Sequence, residues 1–134
     1  MSRALAGPAT RSLAVLVVDD YPDTADSLAI LLRLAGHDVR AAYNGPDALA
    51  LLNDWQPDVA IWDLALPRMD GFKVAERLCA ESKRRPLLVA LTGFGMAHEV
   101  ERTKAAGFDS HFVKPVDPCE LTDLLRRHDP APAG

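Results

Sequence analysis

Five polar side chains of this sequence can do chemistry together if the fold gathers them: Asp19 and Asp20 in VLVVDD, Asp63 in WDLALP, Thr92 in ALTGFG and Lys114 in HFVKP. Three carboxylates held within about 5 Å repel by roughly 3 kcal/mol per pair at an effective dielectric near 20. Lys114 offsets part of that repulsion. A hard divalent cation with oxygen ligands offsets the rest, so the set reads as a Mg2+ site that retains several waters. The plainer alternative is a solvated acidic pair with Lys114 as an ordinary salt-bridge partner.

The elements that must position these groups are legible in the apolar pattern. Each group follows a short run rich in Val, Ile and Leu: Leu13 to Val18, Val59 to Trp62, Leu87 to Leu91, and His111 to Val113. A fifth run, Val39 to Tyr43, carries none of them. Between the runs lie segments with helical spacing. Pro22 and Asp23 open the first, whose stripe is Leu28, Leu31, Leu32 and Ala35, and Gly36 ends it as a C-cap. Gly45-Pro46-Asp47 leads into the second, with Ala48, Leu49, Leu51 and Leu52. The third spans about Asp70 to Ser82, burying Phe72, Ala75 and Leu78 or Cys79, and the fourth, weakly apolar, spans about Ala97 to Ala106. Asp117 and Pro118 open the fifth, with Leu121, Leu124 and Leu125. Strand and helix thus alternate five times, which predicts an α/β domain of the (βα)5 type, a parallel sheet with helices on both faces. Right-handed crossovers then bring every carboxyl end to one edge, where such folds place their sites. No comparable polar set is expected at the opposite ends.

Length and composition bound the rest. A chain of 134 residues with 49% apolar and 25% charged residues is expected to form one globular domain, here 11–128, with flexible termini at 1–10 and 129–134. A net charge of -4 argues against nucleic acid as the partner. Cys79 and Cys119 belong to no CxxC or Cys/His cluster and read as two reduced, partly buried thiols. No run reaches the roughly 20 apolar residues of a membrane span, and the expected location is the cytoplasm, with no membrane partner. His37, His98, His111 and His128 show no metal-binding spacing, and Lys83-Arg84-Arg85 reads as a solvated turn. Trp62 alternates away from Asp63 and is expected in the core.

With VLVVDD, DLALPRMDG, ALTGFG and HFVKP in this order, the chain resembles the receiver domain of bacterial two-component response regulators, from about Leu13 to Arg127. The resemblance implies the flavodoxin-like strand order 2-1-3-4-5. It implies Asp63 as phosphoacceptor, with Thr92 and Lys114 on the phosphoryl oxygens. It implies Mg2+ held by Asp20, Asp63 and the backbone carbonyl of Ala65, with Asp19 assisting. A histidine kinase or histidine phosphotransfer protein would donate the phosphoryl group, and a downstream protein would read the face of the fourth helix, fifth strand and fifth helix. The family's switch position, three residues before the lysine, is His111, where Tyr or Phe is usual; Phe112 should point to the other face.

Such a chain would be a signalling switch rather than an enzyme, catalysing only its own phosphorylation and slow dephosphorylation. Ala65 and Phe94, which cannot position an attacking water, are expected to slow that loss. With no room for an output domain after the fifth helix, the chain is expected to stand alone, to shuttle phosphate, or to be a fragment of a hybrid kinase. The rival reading from another class is a Mg2+-dependent phosphatase with an aspartate nucleophile. Adjacent rather than alternate aspartates, and no acid two residues past Asp63, weigh against it. A third is a receiver-fold binding module that is never phosphorylated.

Overall fold

Five parallel strands form one sheet in the order β2-β1-β3-β4-β5. They are β1 (Ala14–Val18), β2 (Asp38–Ala42), β3 (Val59–Asp63), β4 (Leu87–Thr92) and β5 (Ser110–Val113). The structure is a computed structural model, and it describes residues 12–19, 21–63, 71–82, 85–92, 108–113 and 117–127. The helices are α1 (Pro22–Leu34), α2 (Gly45–Ala50), α3 (Gly71–Glu81) and α4 (Pro118–Arg127). α4 is the helix expected as the fifth; the one expected over 97–106 lies outside the described residues. The alternating α/β architecture and the 2-1-3-4-5 order are as anticipated.

Alternation along the strands sorts the core into two layers. Val15, Val17, Val59, Ile61, Val89 and Leu91 pack on one face with Ala25, Leu28, Ala29 and Leu32 of α1 and Leu121 and Leu125 of α4. Leu16, Val18, Ala60, Trp62, Leu88 and Ala90 pack on the other with Ala48 of α2 and Leu78 of α3. Strands buried on both faces explain why the sequence shows unbroken apolar runs rather than polar alternation.

Helix ends follow their local chemistry. Pro22 occupies the first turn of α1, where its missing N–H costs nothing. At the other end Gly36 has φ of 100°. Its N–H reaches Arg33 O at 2.9 Å, and the His37 N–H reaches Leu32 O at 3.1 Å, the paired closure of a Schellman turn. Asn44 caps α2 by accepting from the Asp47 N–H at 2.8 Å. Asp117 accepts from the Cys119 N–H at 2.9 Å at the start of α4.

Four expectations need correcting. In α1 the buried set is Ala25, Leu28, Ala29 and Leu32, whereas Leu31 is 42% exposed and Ala35 is exposed as well. Spacing of three and four residues selects 25, 28, 29 and 32, and Leu31 lies off that stripe. The second helix is α-helical only to Ala50, and Leu51–Asn53 tightens into a 3-10 turn with both leucines half-buried. Cys119 is exposed and only Cys79 is half-buried, both as free thiols.

The fourth correction concerns the opposite edge, which does carry acids. The Asp58 carboxylate, just before β3, accepts from the Ala14 N–H at 2.9 Å. Asp109, just before β5, accepts from the Leu88 N–H at 2.8 Å and from Arg85 at 3.1 Å. At that edge the parallel ladder leaves backbone donors without a strand partner, and these carboxylates satisfy them.

Candidate functional site

The sheet runs outward from β1 to β2 and then crosses over to β3, so its order reverses between β1 and β3. Crevices at such reversals lie beyond the carboxyl ends of the strands. Val18 pairs with Trp62 in the register, so Asp19 and Asp63 are the next residues outward on the two strands that flank the reversal. Neighbouring strands are about 4.8 Å apart, which sets the separation of the two backbones. Asp63 pairs with Leu91, and Thr92 follows as the last residue of β4, in register with Val113 of β5. The backbones bearing Asp19, Asp63 and Thr92 thus sit on three successive strands at one edge.

Of the five, Asp19 is the one whose side chain lies among the described residues. It is 2% exposed, an unusual setting for a carboxylate. Its Oδ1 accepts from the Tyr21 N–H at 3.0 Å, while its own N–H extends the ladder to Ala42 O at 3.1 Å. The carboxylate is therefore held in a fixed orientation at the rim, with α1 starting immediately beyond it. Negative charge fixed in this way suits an electrostatic role on a bound cation. Asp20, Ala65 and Lys114 lie outside the described residues, as do the side chains of Asp63 and Thr92.

Trp62 is fully buried on the α2 and α3 side, as its alternation with Asp63 required. Its indole Nε1–H has no hydrogen-bond partner among the described residues. Sequence pattern gives no sign of this; only the packed environment does.

His111 pairs with Ala90, which belongs to the α2 and α3 layer, whereas Phe112 packs in the α1 and α4 layer. The two aromatic residues therefore project to opposite faces, as alternation predicted. Beside them, a groove of about 400 Å³ opens between β5 and α4, lined among others by His111, Phe112, Glu120, Asp123, Leu124 and Arg127. Glu120, Asp123, Leu124 and Arg127 fall at three- and four-residue spacing, so one helix face supplies that wall. Of these four, only Leu124 stands out in the sequence, because charged residues on an amphipathic helix read as a solvated face. No described helix is long and apolar enough to cross a membrane.

Comparison with known proteins fits this geometry. The family model for the response regulator receiver domain matches residues 15–126. An uncharacterised 14.6 kDa protein from Leptolyngbya boryana is 37% identical over 115 residues, covering 85% of this chain and 88% of its own length. The DNA-binding dual master transcriptional regulator RpaA of Synechocystis is 35% identical over 123 residues, covering 88% of this chain and 51% of the regulator. The chain thus spans about half the length of that relative. Among solved structures, a response regulator protein of Burkholderia pseudomallei, described with a phosphorylated aspartic acid, calcium ion and citrate, superposes with a TM-score of 0.77 at 26% identity, covering 87% of this chain and 68% of that one.

Proposed function

The chain belongs to the response regulator receiver domains, and from that membership we propose that residues 11–128 form a phosphorylation-dependent signalling switch whose phosphoacceptor is Asp63. The observation that carries this reading is the register at the strand-order reversal, with Asp63 ending β3 and the buried, oriented Asp19 directly following β1.

A carboxylate oxygen of Asp63 attacks phosphorus in line with the bond to the donor's imidazole nitrogen. The new O–P bond makes an acyl phosphate, and the donor histidine leaves with the electron pair of the broken P–N bond. Asp20, Asp63 and the Ala65 carbonyl, with Asp19 assisting, would hold Mg2+, whose preference for oxygen donors these groups match in kind. Bound there, the ion would neutralise charge on the transferred group. Lys114 supplies a point charge to the same phosphoryl oxygens and Thr92 a hydroxyl donor. Thr92 ends β4 at the same edge, and Lys114 follows the last residue of β5 in the sequence, which supports their roles.

The phosphoryl group adds roughly one negative charge to the rim and strong acceptor oxygens. Thr92 closing on it, with His111 turning inward behind, would carry the change to the face containing β5 and α4. A downstream protein would read that face. A histidine kinase or histidine phosphotransfer protein in the cytoplasm would be the donor. RpaA is described as DNA-binding; for the present chain, with its net charge of -4, the proposed partners are proteins.

The test is labelling by a small phosphodonor. The wild-type chain should take up one phosphoryl group, only with Mg2+ present, and Asp63→Asn should take up none. Continuous release of phosphate from phosphomonoesters would instead favour a phosphatase, and no labelling under any condition would favour a binding module. His111→Ala should leave labelling of Asp63 intact and weaken binding of the downstream partner severalfold. Unchanged affinity would remove His111 from the switch.

A further inference from the structure

We propose that His37 is an acid-sensitive latch holding the chain where it runs into β1. The imidazole lies at the edge of the sheet opposite the acidic rim, in the turn between α1 and β2. Its backbone is immobilised first: Gly36 adopts φ of 100°, and the His37 N–H closes onto Leu32 O at 3.1 Å. From that fixed position the Nδ1 atom accepts from the Leu13 N–H at 3.2 Å. One residue on, the Asp38 N–H donates to Leu13 O at 2.9 Å. Both backbone groups of Leu13 are therefore held by His37 and Asp38, one step before the first β1–β2 pair, Ala14 with Asp38.

Nδ1 accepts a hydrogen bond only while it carries no proton, so the closed latch requires the neutral ring with its proton on Nε2. Protonation would set an N–H against the Leu13 N–H. Leu13 is 1% exposed and His37 7% exposed, so water does not readily replace the lost acceptor. The ionised ring gains solvation only by leaving, and the strand start must open to let it out.

Several charged groups on the elements meeting this edge have partners of their own. Arg33 of α1 donates to Val39 O at 2.8 Å, Asp38 of β2 accepts from Trp55 Nε1 at 3.2 Å, and Asp58 before β3 accepts from the Ala14 N–H. Arg126 of α4 is 3.6 Å from Asp123, Arg85 donates to Asp109 at 3.1 Å, and Asp54 and Arg127 are further charged residues among those described on these elements. No carboxylate forms an ion pair with the imidazole among the described residues. Burial holds the His37 pKa below its ordinary value of 6.5. The sign follows from that depression. The unfolded chain binds a proton near the ordinary value and the closed latch does not, so the latch contributes fully above it. Its contribution falls as pH drops through the ordinary value towards the lower folded one.

The experiment is a pH series on the full chain by NMR. Near pH 8 the ring nitrogens should report the Nε2–H tautomer. Between about pH 8 and pH 5, protection of the Leu13 amide from exchange, corrected for intrinsic rates, should fall about tenfold or more as His37 titrates, while the Val17 amide holds. His37→Gln, whose side-chain carbonyl accepts without titrating, should abolish that pH dependence. An Nδ1–H tautomer near pH 8, Leu13 protection unchanged through the titration, or an equal fall in His37→Gln would each overturn the latch. If His37→Gln does not fold, the two wild-type measurements decide alone. Neither requires Asp63 to accept phosphate.

Discussion

Among single residues, the same side-chain chemistry is put to opposite uses at the two edges of the sheet. Asp58 and Asp109 satisfy backbone donors at the amino edge, whereas the Asp19 carboxylate is oriented at the rim by the Tyr21 N–H. Trp62 combines a gain with a loss. It fills core volume next to Asp63 yet leaves its indole N–H without an acceptor among the described residues. A buried donor left unpaired costs roughly 1–3 kcal/mol. Trp62→Phe gives up ring volume but removes that donor, so its destabilisation in urea unfolding should stay below about 1.5 kcal/mol. Trp62→Ala should cost about 3–5 kcal/mol. Similar losses for the two variants would mean that the indole N–H is in fact satisfied.

Among the secondary-structure elements, the helices differ in how much of their order is local. α2 has only six residues, too few to be helical by propensity, and depends on its cap and on Ala48 packing against the sheet. Asn44 both accepts from the Asp47 N–H and donates to the Asp47 carboxylate at 3.0 Å. Asn44→Ala should therefore cost about 1 kcal/mol in chemical denaturation, and Asn44→Ser, whose hydroxyl accepts from the Asp47 N–H without facing it with a second carboxylate, should retain most of the cap. An Asn44→Ala chain as stable as wild type would show that tertiary packing alone holds α2. α1 was legible from Pro22 to Gly36, but its buried stripe was displaced from the one expected. Sequence spacing admits several apolar stripes on a leucine-rich helix; the layer of Val15, Val17 and Val39 selects the one that packs.

For the molecule as a unit, the two thiols report how the fold opens. Burial pushes the Cys79 thiol above its usual range, disfavouring the reactive thiolate, while Cys119 is exposed in the first turn of α4. A maleimide at neutral pH should label Cys119 within the mixing time of a manual experiment. Cys79 should react at least tenfold more slowly, at a rate that rises with sub-denaturing urea. Equal rates for both would mean that α3 opens freely from the sheet.

The alternation of strands and helices, the parallel sheet and the carboxyl edge at which Asp63 and Thr92 end their strands could all be read from the residue order. Those features follow from local periodicity and from the handedness of crossovers, which any short window of the chain carries. The outward face of Leu31, the service of Asp58 and Asp109 to the backbone, and the hold of His37 on Leu13 emerged from the assembled fold alone. The last three contacts join residues 44, 21 and 24 positions apart, and the bonding demands of N–H groups around the start of a strand arise only once its neighbours are in place.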